Sequence, residues 1–172
     1  MKIECGSLEY ALARLAARPR ADAALWRRIE VERDFAPLLE LARAGALRPW
    51  LVGITAASGV HEVESALRRH WRERVAEVAG WMPAAWRPAL LWCAWLPDLA
   101  PLQHLLHGGV APAWMEGDAD WRELARAQPA QRVALLGRGA AAALAAAPQD
   151  LVGAWTAEWR RRLPAGERRA QV

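Results

Sequence analysis

The clearest pattern in the chain is a stripe of apolar positions between residues 58 and 80. Its members are three or four residues apart, the spacing that places side chains on one face of an α-helix. They are Val60, Val63, Leu67, Trp71, Val75 and Val78. Ser58 can begin this helix and Gly80 can end it. The spacing therefore predicts a helix about 30 Å long, the longest in the chain.

Three shorter helices are predicted before it, each with a polar residue at its start. Ser7, Asp22 and Asp34 are typical N-caps, because a side-chain oxygen there accepts from a free N–H of the first turn. Gly45 supplies the stop of the third helix. Residues 47–54 predict a short helical turn, or a strand with no partner elsewhere. The apolar repeats after the first two caps are Leu8, Leu12 and Leu15, then Leu25, Trp26 and Ile29.

The stretch 92–109 organises the second half of the chain. Pro88 can occupy the first turn of a helix that runs through Leu96. This helix is apolar nearly all round, so we expect it to be the most buried element. Asp98 is then predicted to cap a second helix, which Gly108 and Gly109 end. The apolar positions of that helix are Leu99, Leu102, Leu105 and Leu106.

The remaining residues predict further short helices and no convincing strand. Asp118 or Asp120 can cap one, Pro129 starts another over 131–136, and the Ala-rich residues 140–147 favour helix by propensity. Asp150 precedes a last helix with Leu151, Trp155 and Trp159, which Pro164 ends. The fold class is therefore all-α, a compact array of eight to ten short helices with no sheet. The expected divisions are a helical region 1–109, a C-terminal helical extension 110–163 packed on it, and a flexible tail 164–172.

Composition narrows the class of protein. Of the 172 residues 54% are hydrophobic, which is ample for a core, yet no apolar run reaches the ~18–20 residues that span a bilayer. The first ten residues lack the apolar segment of a secretory signal. Cys5 and Cys93 have no metal or redox spacing, as expected for the reducing cytoplasm. Eleven Trp residues against one Tyr and one Phe indicate a Trp-packed interior with some Trp left for interfaces.

The charge pattern leaves a nucleic-acid alternative open. The net charge is +4, and Lys2 is the single Lys among 23 basic residues. Arg binds phosphate through two parallel hydrogen bonds, so an Arg-rich surface can bind nucleic acid. Most of these Arg residues alternate with Glu along helices, which favours solvated faces. The exceptions are residues 160–162 and 168–169, beside Trp155 and Trp159, where either an interfacial helix or a core-packed helix with a basic end is possible.

No motif in the sequence carries catalytic chemistry. His104 and His107 could share a helix face as metal ligands, but no Cys or carboxylate stands at a supporting spacing. Ser7, Ser58 and Ser65 lack the context of a nucleophile elbow, and Cys93 lies in an apolar helix. The Gly pairs at 108–109 and 137–139 follow no strand and lack the ending of a phosphate-binding loop. We therefore expect no enzyme activity, no cofactor and no catalytic, cofactor-binding or metal residue.

Four features between residues 10 and 108 resemble the central-stalk connector family of V/A-type rotary ATPases. They are Tyr10 to Arg14, residues 35–41, Val63-Glu64 followed by Leu67, and Asp98 to Gly108. The last resembles the family's Asp-x-x-Asn-Leu-Lys/Arg-x-Leu-Leu-Arg-Gly. Pro101 replaces its Asn, Gln103 its basic residue and His107 its Arg. Residues after Gly109 have no counterpart, so the chain resembles a shortened member.

This resemblance implies a non-catalytic connector in ion transport. In the family this protein seats on the cytoplasmic side of the membrane rotor ring and receives the foot of the central shaft. The implied partners are shaft subunits and the rotor ring, and the implied location is cytoplasmic, peripheral at the inner face of the membrane. In the family's motif the Asp caps a helix and the leucines pack in the core, so both roles are architectural. Two alternatives stay open: a helical adaptor or regulator unrelated to ATPases, and an Arg-rich nucleic-acid-binding protein.

Overall fold

A computed structural model describes residues 7–119 and 121–166. Within these ranges all regular structure is helical, which confirms the predicted all-α class. The α-helices are α1 (Leu8–Ala16), α2 (Ala23–Val31), α3 (Phe35–Arg43), α4 (Val60–Trp81), α5 (Arg87–Trp92), α6 (Leu99–Leu106), α7 (Ala113–Gly117), α8 (Arg122–Arg126), α9 (Pro129–Leu136) and α10 (Leu151–Arg162). The 3-10 helices are Arg48–Trp50, Cys93–Asp98 and Ala142–Ala146. None of the helices described is long and apolar enough to cross a membrane.

The first helices begin where their polar residues predict. The Ser7 hydroxyl accepts from the N–H of Tyr10 at 3.1 Å, and the Asp22 carboxylate accepts from that of Leu25 at 2.7 Å. Asp34 stands at the N-cap of α3 but its side chain makes no capping hydrogen bond. The stretch 47–54 contains a 3-10 turn, so the helical alternative predicted for it is correct.

Helix α4 is the longest element, with 22 residues, and it begins at Val60. Ser58 does not cap it, because its hydroxyl instead accepts from the N–H of Thr55 at 3.0 Å. Glu62 closes the first turn by accepting from the N–H of Gly59. The buried face contains Ala66, His70, Val75 and Ala79. Only part of the predicted apolar stripe is therefore buried, and Val60 is 74% exposed.

The apolar segment after Pro88 differs from its prediction. Helix α5 ends at Trp92, and the chain continues as a 3-10 helix through Pro97. Pro97 lacks an N–H and disfavours the α conformation in the residue before it, so it weakens the last α-helical turn of this segment. The segment is also not the most buried element, since Leu91 and Leu96 are 48% and 40% exposed.

Two apolar clusters lie under these helices. The larger one joins α5, α6 and the elements that follow. Its members include Trp92, Leu102, Leu105, Met115, Trp121, Leu144 and Leu151, each at most 1% exposed. The smaller one contains Leu39, Ile54 and Ala66. The larger cluster draws residues from both sides of position 109, and the division into 1–109 and 110–163 stays a prediction. The predicted tail 164–172 lies outside the described residues from 167 onward.

Details of the last helices also differ from expectation. Helix α8 begins at Arg122, and Asp118, a predicted cap for it, instead pairs with Arg72; the alternative cap, Asp120, lies outside the described residues. The Ala-rich stretch 140–147 forms a 3-10 helix in place of an α-helix. The proposed proline start is correct for α9. Asp150 caps α10 by accepting from the N–H of Gly153 at 2.8 Å.

Glu158 near the end of α10 is buried although it is charged. The Arg161 guanidinium donates to both of its oxygens at 2.6 Å, and Arg162 Nε donates to Oε1 at 2.6 Å. These bonds, above all those from Arg161, lower the pKa of Glu158 from 4.5 to about 2. A carboxylate whose pKa is lower in the folded state stabilises the fold above its unfolded pKa. That contribution is lost as pH falls from 4.5 toward about 2.

Glu158→Gln is expected to lower the free energy of unfolding at neutral pH by about 1.5–3 kcal/mol, the usual size of a hydrogen bond to a charged group. The variant should also lose less stability than the parent between pH 4.5 and 2, because its side chain no longer takes up a proton. Urea titration followed by circular dichroism measures both quantities. Glu30→Gln, an exposed position on α2, is the matched control. Equal losses of unfolding free energy in Glu158→Gln and Glu30→Gln would show that the bonds from Arg161 and Arg162 to Glu158 do not stabilise the fold.

Candidate docking groove

The His and Cys side chains considered for metal binding or catalysis contact other groups of the same chain. His104 Nε2 lies 3.2 Å from the carbonyl oxygen of Val110, whereas His107 Nε2 lies 3.0 Å from Gln149 Oε1. The two rings thus contact different parts of the chain. Across the described ranges no group of three or more His, Cys, Asp or Glu is placed to hold a metal. The Cys93 thiol donates to the carbonyl of Ala89, and burial raises its pKa, which favours the thiol over the reactive thiolate.

An apolar groove of about 1010 Å³ lies beside α4 and is here called the α4 groove. Its floor is formed by the last three residues of the predicted stripe, Trp71, Val75 and Val78. The end of α1, the 3-10 turn and the α5 segment contribute its walls. The wall residues include Leu15, Pro19, Pro49, Trp50, Leu90, Cys93 and Leu96. The strongest amphipathic pattern of the sequence therefore lines a surface groove.

Trp71 is held firmly in this floor. Its indole Nε1 donates to the carbonyl of Cys93 at 2.9 Å, which ties α4 to the 3-10 segment after α5. Its ring stacks on Trp50, with centroids 6.4 Å apart and planes inclined by 25°. A smaller cavity of about 330 Å³ also contacts both rings, together with Leu67 and Pro97. The apolar surface is thus formed before anything binds, which lowers the entropy lost on binding.

Four arginines line the groove, and they fall into two pairs. Arg18 and Arg74 both contact Glu77, at 2.5 and 2.7 Å, and these bonds lower the pKa of that carboxyl, with the bond from Arg18 as the larger cause. Arg20 and Arg48 are exposed and have no ion pair with any described carboxylate. The groove therefore combines an apolar floor with the positive charges of Arg20 and Arg48, which no carboxylate in the described part of the chain neutralises.

A buried ion cluster fixes α4 against the second half of the chain. Arg72 donates to Asp98 Oδ2 at 3.0 Å and to Asp118 Oδ2 at 3.1 Å. Arg68 Nε lies 3.2 Å from Asp98 Oδ1 without the alignment of a hydrogen bond, and its guanidinium lies 4.1 Å from the centre of the Trp114 ring. Asp98 makes no capping bond to α6, so the predicted cap is wrong. Its carboxylate joins two arginines of α4 instead.

Asp98 is 1% exposed, and this burial controls its acidity. Burial raises the pKa of Asp98 above its ordinary value, while the positive charges of Arg72 and Arg68 oppose the increase. The same cluster raises the pKa of Arg72, because Asp98 and Asp118 together outweigh the effect of burial on the guanidinium. The arrangement is that of a structural ion cluster which aligns α4, α6 and α7.

The sequence pattern placed the floor residues of the groove on one helix face, but it did not predict the residues of the walls and edge. Arg20 comes from the loop after α1, and Arg48 and Trp50 come from a 3-10 turn too short to give a periodic signal. The two arginines that hold Asp98 are four residues apart on α4, which places them on one helix face. That spacing was an available signal for a buried carboxylate partner, although it did not identify Asp98.

Comparison with family models, with curated proteins and with solved structures gave no match to this chain.

Proposed function

We propose that this protein is a non-catalytic helical connector that binds a partner segment in the α4 groove. The observation that carries this proposal is the apolar groove over Trp71, Val75 and Val78, which has two arginines without a described ion pair at its edge. A preformed apolar groove with a few polar groups at its edge is the usual form of a binding site. The stacked Trp pair supports the same proposal, because aromatic side chains dominate binding energy at interfaces.

The specific role we propose is that of a central-stalk connector in a V/A-type rotary ATPase, where the chain would join shaft subunits to the membrane rotor ring. The sequence resemblance over residues 10–108 supports this role, and so does a core that links most of the helices after α4. In the motif from Asp98 to Gly108 the leucines Leu102 and Leu105 are fully buried, as an architectural motif requires. A cytoplasmic location at the inner face of the membrane belongs to the same proposal.

The proposed role can be tested by co-expression with the shaft and rotor-ring proteins of the ATPase from the same organism. We expect them to co-purify with the tagged chain. Val78→Glu should weaken this association about tenfold or more, because it places a charge on an apolar interface floor. Val31→Glu, at a position that is 76% exposed on α2, is the matched control and should have no effect.

The result that would contradict the role is equally definite. A correctly folded chain that purifies free of shaft and ring proteins under native conditions would exclude the ATPase assignment. If an adaptor complex of another kind were then isolated, and Val78→Glu released its partner, the connector function would stand without the ATPase. Arginines on the faces of α4 and α10 pair with carboxylates of the same chain, which favours a protein partner over nucleic acid.

A further inference from the structure

We propose that the occupant of the α4 groove is an amphipathic α-helix whose apolar face is edged by carboxylates, which bind Arg20 and Arg48. This inference rests on the proposed function, since it names the chemistry of the partner segment. It depends on two separate observations: the shape of the groove floor and the distribution of charge along its edge.

The floor has the form that a second helix requires. Trp71, Val75 and Val78 follow each other at four and three residues along α4. They form a ridge of about 10 Å, or two helical turns. Ridges of this kind pack into the grooves between side chains on another helix. Because the α4 groove is partly open to solvent, its occupant must also present a polar face to water, and an amphipathic helix does so.

The charges select an acidic helix. Arg18 and Arg74 already share Glu77, so the positive charge available to an occupant is that of Arg20 and Arg48. The planar guanidinium of Arg matches a carboxylate through two parallel hydrogen bonds. A helix with lysines along its apolar face would meet like charge at the same edge and be disfavoured.

An acyl chain with an anionic headgroup shares part of this chemistry, but the geometry fits it less well. The groove is partly open to solvent, so a bound acyl chain would keep part of its surface in water and lose some of the benefit of burial. The Trp71 N–H is already bonded to the chain's own carbonyl and offers no contact to a headgroup. The experiment below therefore includes lipid vesicles, so that binding of a lipid can be recognised.

The test uses two synthetic peptides of about five helical turns. Both carry a Leu face; in one the face is edged by Glu, in the other by Lys. Fluorescence anisotropy measures their binding to the full chain. We expect the Glu peptide to bind about tenfold or more tightly than the Lys peptide. The double variant Arg20→Glu/Arg48→Glu should reverse this preference. The matched control Arg28→Glu/Arg33→Glu, with the same change of charge at exposed positions outside the groove, should retain it.

Three results would overturn the inference. The first is equal affinity for the two peptides, and the second is a preference for Glu that survives Arg20→Glu/Arg48→Glu. The third is binding of phosphatidylglycerol–phosphatidylcholine vesicles, lost in that variant, without binding of either peptide, because this would identify a lipid headgroup. Circular dichroism of each variant confirms that the helices are intact.

The experiment separates this inference from the proposed function. If shaft proteins co-purify with the parent and with Arg20→Glu/Arg48→Glu alike, the connector role stands and the acidic helix is excluded. If the Glu peptide binds as expected and no shaft protein co-purifies, the groove chemistry stands and the ATPase role is excluded.

Discussion

Asp98→Asn is expected to lower the free energy of unfolding by about 3–5 kcal/mol, because it leaves buried arginine charge without its partner. Arg68 and Arg72 approach the Asp98 carboxylate from the same helix, and Asp98 is 1% exposed. Arg72 retains Asp118, whereas Arg68 retains only the edge contact with Glu64 at 3.8 Å and the face of Trp114. Urea unfolding followed by circular dichroism measures the loss.

The matched control for this prediction is Asp22→Asn. It makes the same chemical change at an exposed helix cap, where Asn and Asp perform about equally well, so little stability should be lost. The control also shows how to interpret a small loss of stability in Asp98→Asn. Burial raises the pKa of Asp98, and a carboxyl that carried a proton at neutral pH would be closely imitated by Asn. A loss in Asp98→Asn no larger than that in Asp22→Asn would therefore exclude the ion cluster as a source of stability.

The role of Asp98 illustrates what the sequence can and cannot predict. Helix starts at Ser7, Asp22 and Pro129 were predicted correctly, because a cap or an initial proline acts within one turn of chain. Asp98 stands before an apolar repeat, as a cap does. Its carboxylate instead turns to α4, about thirty residues earlier, because two guanidinium groups in a buried site stabilise it more than one backbone N–H can.

The α4 stripe shows a second limit. Periodicity identified Trp71, Val75 and Val78 as residues on one face of a helix, and that grouping is correct. Periodicity does not say what covers a face. Here the neighbouring elements do not cover the whole apolar face of α4, and the α4 groove remains between them. Apolar residues of the segment after Pro88 are partly exposed as well. Arg20 reaches its edge from the loop after α1 and Arg48 from the 3-10 turn, and no spacing rule connects residues brought together only by the tertiary fold.

Trp92→Ala is expected to have the other large effect, a loss of about 3–5 kcal/mol in the free energy of unfolding, as for other large aromatic side chains removed from a core. Trp92 is 1% exposed and joins α5 to α10. Its indole Nε1 donates to the carbonyl of Trp155 at 3.0 Å, and the indole of Trp155 donates back to the carbonyl of Trp92 at 3.2 Å. The Arg162 guanidinium covers its ring at 4.4 Å from the centre.

Two further variants separate the contributions to this effect. Trp92→Phe keeps much of the apolar volume but removes the indole N–H, so we expect it to lose about 1–2 kcal/mol, the size of a buried hydrogen bond with some loss of packing. Trp26→Ala removes the same side chain from a position that is 47% exposed on α2, and it should lose much less than Trp92→Ala. Circular dichroism is the appropriate signal, because eleven Trp residues make the fluorescence composite. Equal losses at positions 26 and 92 would contradict the claim that the reciprocal Trp contact holds α10 on the core.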